Sequence, residues 1–357
     1  MEGSLRGPVV LDRIVGQARA QALLRASVGN PVESYLFVGP AGSGKRDAAL
    51  MFAASLVCPT GGCGTCASCR AALAENHPDV LIIERSGAAI SVAEAQAVTA
   101  LAQRTPTASP RQVIVLVDFH LVSQAAPALL KTIEEPPTST TFIVLAEYIP
   151  PPLVTIASRC LTVRFSMLDE SAIVTALVAD GVPADAARLA AVGAGGRMDR
   201  ARLLAHDEGF VARQDRWRAI PERLDGSGAT VAVLAAELLA AADELVDVVK
   251  EQQSAELQSL IEESTRLGER RVAGRQAIEE RHRREQRRVR TDELRAGLAI
   301  LATVYRSRLD AGRLPSHRVQ GVTDALSRID ETSASLVRNP NELLLLQNLL
   351  IELDGAS

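Results

Sequence analysis

The stretch GPAGSGKR, residues 39–46, constrains the fold of this chain more than any other. It follows the apolar run YLFV and precedes KRDAALMFAASLV, which has the composition of a buried helix. Glycines in this order let backbone N–H groups turn towards an anion at a helix N-terminus, and the lysine reaches the outer phosphates. The stretch therefore predicts a phosphate-binding loop (P-loop) between a strand and a helix. Its candidate nucleotide-binding residues are Gly39, Pro40, Ala41, Gly42, Ser43, Gly44, Lys45 and Arg46.

The last position of this loop departs from the usual pattern. A hydroxyl residue normally follows the lysine and holds Mg²⁺, whereas this chain has Arg46. Arginine offers no acceptor to a metal, and its fixed charge would compete with a metal for phosphate oxygens. The sequence therefore leaves ATP binding open and argues against efficient hydrolysis by this chain alone.

Short apolar runs alternate with helical patterns through the first half of the chain. Near-continuous apolar strands are typical of a parallel sheet that is covered on both faces. We therefore expect an α/β P-loop domain with a five-stranded parallel sheet over residues 1–166, a small helical domain over 167–206 and an all-α domain over 207–357. Ser91 is the expected N-cap of one helix. The apolar runs lie at residues 35–39, 80–84, 113–118, 141–146 and 161–165.

The run VIVLVD ends in Asp118, the position of a carboxylate that orients Mg²⁺ in P-loop ATPases. A second carboxylate normally follows and positions the attacking water, but here the next residue is Phe119. We expect Phe119 to pack in the core, and Asp118 has either a metal-orienting or a purely structural role.

Four cysteines cluster in CPTGGCGTCASC, residues 58–69. Four thiolates within one glycine-rich loop suit tetrahedral Zn²⁺, and a complete set of four leaves no open position for catalysis. The cluster predicts an inserted structural zinc module, with unliganded thiols as the alternative, and Cys160 is expected to be a small apolar filler. The four candidate ligands are Cys58, Cys63, Cys66 and Cys69.

Charge and hydropathy exclude several classes of protein. The formal net charge of −4 argues against a globally basic surface for nucleic acid. Neither a long apolar run nor a signal-peptide pattern is evident, so we expect a cytoplasmic protein without a membrane partner. The arginine-rich segment 263–297 is either a solvated or partner-facing helix with internal ion pairs, or a surface that faces DNA.

Arg159 lies just before the last predicted strand. By itself it would be interpreted as a surface residue. In rings of P-loop subunits, an arginine at this place can reach a neighbour's γ-phosphate and stabilise charge in trans. Arg159 is therefore the candidate catalytic residue.

Taken together, six motifs resemble the bacterial clamp-loader ATPase family of the AAA+ class: RIVGQ (13–17), SYLFVGPAGSGK (34–45), the cysteine module, HPDV (77–80), ALLKTIEEPP (128–137) and SRC (158–160). The similarity covers about residues 10–205. It implies a role in loading the sliding clamp of DNA polymerase III onto primed DNA, within a hetero-pentameric ring that contains motor (gamma/tau) and delta subunits. It further implies zinc on the cysteines, an arginine finger at Arg159 and a C-terminal collar.

Departures from this family's motor pattern suggest which subunit the chain resembles. Arg46 and Phe119 replace the metal-holding and water-positioning residues, and Glu147 stands after the fourth strand where a polar sensor is expected. This combination resembles a stator subunit that completes a neighbour's active site. The segment GRMDRAR resembles the family's second sensor and implies Arg200 near a nucleotide. The alternatives are an active motor and a non-catalytic, zinc-containing nucleic-acid-binding protein.

Overall fold

The computed structural model describes residues 9–84, 92–121, 126–266, 275–310, 316–336 and 340–354. The expected helix cap at Ser91 and residues 267–274 of the arginine-rich segment lie outside these ranges. The chain divides into two units, Met1–Ala205 and His206–Ser357. The boundary expected at residue 166, inside the first unit, stays a prediction.

The first unit contains the predicted five-stranded parallel sheet. Its order is β2-β3-β4-β1-β5, with Tyr35 opposite Ile143 on one side of β1 and opposite Leu161 on the other. The parallel α/β prediction is thus confirmed. The strands are β1 (Ser34–Val38), β2 (Val80–Ile83), β3 (Gln112–Leu116), β4 (Thr140–Ala146) and β5 (Leu161–Arg164).

In the described parts of this unit, helices precede, connect and follow the strands. The single-turn 3-10 segments are Val9–Arg13, Phe119–Leu121 and Pro151–Leu153. The α-helices are α1 (Ala18–Val28), α2 (Lys45–Val57), α3 (Ala67–Leu73), α4 (Val92–Ala102), α5 (Ala126–Glu134), α6 (Val154–Ala157), α7 (Glu170–Ala179), α8 (Ala184–Ala194) and α9 (Met198–Leu204).

Both faces of the sheet are buried along the inner strands β1, β3 and β4, which explains their nearly continuous apolar runs. Alternate residues of β1 point to opposite faces. Tyr35 and Phe37 join the core beneath α1 and α2, and the Tyr35 ring meets Phe52 edge-on at 4.8 Å between centroids. Leu36 packs on the other face with Leu129 of α5. The P-loop therefore begins at the end of a strand that is fixed from both sides.

The HPDV motif fixes the start of β2 through a buried carboxylate. Asp79 is 2% exposed and accepts hydrogen bonds from Thr107 N (2.7 Å), Thr107 Oγ1 (3.1 Å), Ala108 N (2.7 Å) and Ser109 Oγ (2.9 Å). Burial disfavours the charged form, but these hydrogen bonds outweigh it and lower the pKa of Asp79. Asp79 thereby ties β2 to the loop that leads into β3.

The described part of the second unit is helical. Its apolar core includes Trp217. The Trp217 ring lies directly against Gly297, so a Cβ at position 297 would overlap the indole. Beside it, the buried Arg213 forms ion pairs with Asp207 and with Glu293, the latter at 3.0 Å. The helices are α10 (Phe210–Arg218), α11 (Ile220–Arg223), α12 (Gly228–Arg266), α13 (Arg275–Asp310), α14 (Ser316–Ser335) and α15 (Glu342–Asp354).

Among the helices in the described ranges, none combines the length and the apolar character that a membrane span requires.

Candidate functional site

The glycines of the P-loop are fixed by close packing and by backbone conformation. A Cβ at Gly39 would lie 2.5 Å from the carbonyl oxygen of Phe165, and the Gly39 N–H donates to Ala146 O at 3.1 Å. Gly42 and Gly44 have φ values of +72° and +81°, which favour glycine. The predicted loop therefore connects β1 to α2 in a conformation that only this glycine pattern permits.

Lys45 begins α2, where it can reach a phosphate at the helix N-terminus. Its Nζ donates to Pro40 O at 3.0 Å, which folds the side chain back over the loop. Burial lowers the pKa of Lys45, and the nearby carboxylates of Glu147 and Asp118 oppose this effect. The ammonium thus lies among acidic groups of its own chain.

Arg46, which replaces the metal-holding hydroxyl, is bound by two carboxylates. Its Nη2 lies 3.0 Å from both carboxylate oxygens of Glu75, and its Nη1 pairs with Glu84. Burial opposes its charge, but the charges of Glu84 and Glu75 outweigh this and raise the pKa of Arg46. Sequence reasoning missed both partners because they lie 29 and 38 residues further along the chain. Arg46 is therefore held by its own chain and is not left to compete for phosphate oxygens.

Of the two carboxylates expected after β3, the chain has the first, Asp118, and lacks the second. Asp118 follows β3 with a left-handed φ of 53°, a conformation that asparagine and aspartate tolerate better than most residues. Phe119 is fully buried in the core beneath α4 and α5, as expected for a packing residue. The metal-orienting role of Asp118 stays a prediction.

The segment before α9 packs directly onto the P-loop. The Met198 N–H donates to Gly42 O at 3.1 Å, and a Cβ at Gly42 would lie 2.6 Å from Arg197 Cβ. Arg200, the residue suggested by the sensor resemblance, is buried, and its Nε donates to Gly193 O of α8 at 3.2 Å. Its nucleotide role stays a prediction, whereas Arg197, which sequence reasoning missed, touches the loop.

Gln17 of the RIVGQ motif binds the P-loop, and a small cavity lies beside α2. Gln17 donates to Ser43 O at 3.0 Å and to Ser166 O at 2.7 Å. The adjacent cavity, between Met51 and Met198, measures about 10 Å³. That is about the space of one water molecule.

The four clustered cysteines meet the geometry of a zinc site. All four Sγ atoms lie within 4.8 Å of one another, and Cys58 Sγ is 3.8 Å from Cys63 Sγ and 3.7 Å from Cys66 Sγ. Tetrahedral bonds of about 2.3 Å require sulfur atoms about 3.8 Å apart. Backbone N–H groups of Cys66 and Cys69 each donate to a cluster sulfur at 3.4 Å, the outer-shell support that thiolates need. The donor set therefore fits Zn²⁺.

The local environment favours ionisation of part of this cluster. Hydrogen bonds from Thr65 and Cys66 lower the pKa of Cys63 to about 5. Burial opposes ionisation of Cys58, but hydrogen bonds from Thr60 and the backbone outweigh it and lower its pKa to about 7. Burial raises the pKa of Cys69.

Arg159 is held on the surface between α6 and β5. Its Nε lies 3.3 Å from Glu134 Oε1 at the end of α5, and its Nη1 donates to Thr155 O at 3.3 Å. The side chain is 49% exposed. Its guanidinium is thus oriented by two groups of its own chain while remaining accessible to an outside anion.

A family model matches part of the sheet-containing unit. Residues 17–169 match the family model described as DNA polymerase III, delta subunit. The DNA polymerase III subunit delta' of Bacillus subtilis is 34% identical over 181 residues, covering 49% of this chain and 55% of that protein. That of Pseudomonas aeruginosa is 35% identical over 134 residues, covering 36% and 41%. Over less than half of its length, this chain is therefore similar to DNA polymerase III delta' subunits.

Proteins named as tau or gamma subunits are similar to this chain as well. The tau/gamma subunit of Haemophilus influenzae is 36% identical over 146 residues, which cover 39% of this chain and 21% of that protein. The chain spans about half the length of the delta' relatives it matches. Among solved structures, a DNA polymerase III gamma subunit-related protein of Thermotoga maritima is 18% identical with a TM-score of 0.45, covering 95% of this chain and 99% of that chain.

Proposed function

We propose that this chain is the delta-prime subunit of the DNA polymerase III clamp loader. In this role it is a stator in a hetero-pentameric ring with motor (gamma/tau) and delta subunits. Through that ring it helps to load the sliding clamp onto primer-template DNA, in the cytoplasm. The sequence similarity to named delta' and tau/gamma subunits supports a place in this assembly.

The choice of a stator over a motor depends on residues, because the identities to delta' and tau/gamma relatives are alike. Arg46 occupies the place of the magnesium-holding hydroxyl and is bound by Glu75 and Glu84. Phe119 occupies the place of the water-positioning carboxylate and is buried. A site without either group has lost two of the functions that ATP hydrolysis needs.

Arg159 supplies the contribution of this subunit to hydrolysis. Glu134 and Thr155 fix the guanidinium from one side, so its exposed part can donate to γ-phosphate oxygens of a neighbouring subunit. Such donors stabilise the charge that develops during phosphoryl transfer. The proposal depends on the accessible, oriented Arg159 in a chain whose P-loop lacks the metal-holding hydroxyl.

The cysteine module has a structural role in this proposal. Cys58, Cys63, Cys66 and Cys69 would hold Zn²⁺ with four thiolates. When bound, the metal supplies cross-links between α2, its following loop and α3. It takes no part in ATP chemistry because no ligand position stays open.

Replacing Arg159 tests the proposal in the reconstituted clamp loader. Arg159→Ala should lower clamp-stimulated hydrolysis at the site it serves by about 10²–10³-fold, while assembly measured by size-exclusion chromatography stays intact. Arg164→Ala, another exposed arginine a few residues away, is the matched control and should have no effect. Unchanged hydrolysis in an intact Arg159→Ala complex would contradict the stator role.

An active motor is the second candidate, favoured by the retained Lys45 at the start of α2. Measuring ATP turnover by the purified chain distinguishes the two. The stator predicts no steady turnover, whereas magnesium-dependent turnover that Lys45→Ala abolishes would establish a motor.

A further inference from the structure

The second unit contains a helical hairpin whose apolar core ends partway along. α12 and α13 have 39 and 36 residues, so each extends for more than about 50 Å at 1.5 Å per residue. Among the side chains that the structure describes, the buried apolar residues of these helices continue only as far as Val249 and Val289. We call the part beyond them, residues 250–266 and 275–288, the arm.

Polar side chains join the two helices of the arm. The buried Gln253 donates to Glu285 Oε2 at 2.8 Å and accepts from Gln286 Nε2 at 2.7 Å. One turn further, His282 Nε2 lies 3.0 Å from Glu256 Oε2. These contacts fix an antiparallel register of the two helices.

The two helices of the arm carry opposite charge. Residues 275–288 contain six arginines and three glutamates, a formal charge of +3, whereas residues 250–266 contain two basic and four acidic residues, a formal charge of −2. A helix stabilised only by ion pairs would mix the two signs along one face. The returning helix mixes the signs in the i,i+4 pairs Arg275–Glu279 and Glu280–Arg284, but it keeps an excess of three positive charges.

Arg283 and Arg287 are exposed and stand one turn apart on α13. Within the described part of the chain, neither lies within ion-pairing distance of a carboxylate. Arg284 and Arg288 adjoin them, which extends the basic surface around the helix. We call these four residues the arginine face.

We propose that the arginine face of the arm binds the phosphate backbone of duplex DNA. Guanidinium groups pair with phosphate oxygens through two parallel hydrogen bonds. Each strand of duplex DNA offers a phosphate about every 3.4 Å along the helix axis. With a net charge of −4, the chain does not attract polyanions over its whole surface. Contact with DNA depends instead on the local row of arginines on successive turns of α13.

This site differs from the one at Arg159, and it requires only this chain. The proposed stator function concerns ATP hydrolysis in the assembled ring, whereas the arm would bind DNA in the isolated protein. Failure of one proposal leaves the other unaffected.

Fluorescence anisotropy with a labelled 20-base-pair duplex and the purified full-length chain tests the arm between about 25 and 150 mM salt. Each lost phosphate contact reduces the slope of log K against log salt by about 0.9. The double variant Arg283→Ala/Arg287→Ala should therefore reduce the slope by about 1.8 and weaken binding most at low salt. Arg295→Ala/Arg306→Ala removes two exposed arginines of α13 outside the arm and is the matched control.

Three outcomes would overturn the proposal. The wild-type chain could fail to bind the duplex at 25 mM salt, or the arm and control variants could change the slope equally. Displacement of the duplex by polyglutamate at equal charge concentration would show that the arginine face does not prefer phosphates to carboxylates. Unchanged circular dichroism of both variants verifies that they are folded.

Discussion

Asp79 is the residue whose replacement tests the structural interpretation of the first unit most directly. Asp79→Asn keeps the shape of the side chain but replaces one carboxylate oxygen with an amide. The retained oxygen can still accept from Thr107, whereas the new NH₂ group faces Ala108 N, which the carboxylate oxygen bound at 2.7 Å. Two donors then face each other where a charge-assisted hydrogen bond existed.

The expected loss is about 3 kcal/mol. A hydrogen bond to a charged group contributes about 1.5–3 kcal/mol, and an unpaired buried N–H costs about 1–3 kcal/mol. The side chain is almost completely buried, so water cannot replace the missing acceptor. A loss of 3 kcal/mol corresponds to roughly 100-fold faster exchange of the protected amides.

Hydrogen–deuterium exchange of the Thr107 and Ala108 amides is the appropriate assay, because Trp217 lies in the second unit and does not report on this one. Asp185→Asn, at a side chain that is 92% exposed, is the matched control and should leave exchange unchanged. Equal protection of these amides in wild type and Asp79→Asn would refute the reasoning.

The pH dependence of this difference has a definite sign. Because folding lowers the pKa of Asp79, its stabilising contribution is complete above the unfolded pKa of about 3.9. It is lost as the pH falls through the lower folded pKa. The difference in protection should therefore stay constant between about pH 8 and 5 and narrow only in acid.

Three further changes should have equally specific results. Cys63→Ser should lower the zinc content found by elemental analysis from one ion per chain, and chelation should destabilise the first unit in thermal unfolding. Gly297→Ala should lower the free energy of unfolding of the second unit by about 1–3 kcal/mol or more, because the new methyl overlaps the indole. Denaturant unfolding followed by Trp217 fluorescence measures this loss. Glu134→Ala should lower kcat of the reconstituted ATPase without changing KM, because Arg159 loses its orienting partner, whereas Glu135→Ala should change neither.

Features that depend on neighbouring residues could be predicted from the sequence. The three inner strands β1, β3 and β4 are largely apolar runs because each is buried on both faces, and Phe119 is likewise a buried apolar residue. The cysteine cluster was evident because all four ligands fall within residues 58–69. In each case the signal lies within a dozen residues.

Pairs that only the tertiary fold brings together were not predictable. The partners Glu75 and Glu84 of Arg46 are indistinguishable in sequence from other surface glutamates. The contact of Arg197 with Gly42 joins residues 155 positions apart. The sensor resemblance pointed instead to Arg200, because a motif identifies a short segment and does not show which of its side chains faces the loop.

The packing of the P-loop also explains why its signature persists in a site without a metal-holding group. Gly39 has no room for a Cβ beside Phe165, Gly42 has none beside Arg197, and Gly44 has a left-handed backbone. Each of these glycines is therefore required by the fold whether or not a nucleotide binds. Position 46 has no such constraint, because its side chain leaves the loop and meets carboxylates on other segments. Glycines in such a loop consequently indicate the architecture, and the residue after the lysine is the one that reports on the chemistry.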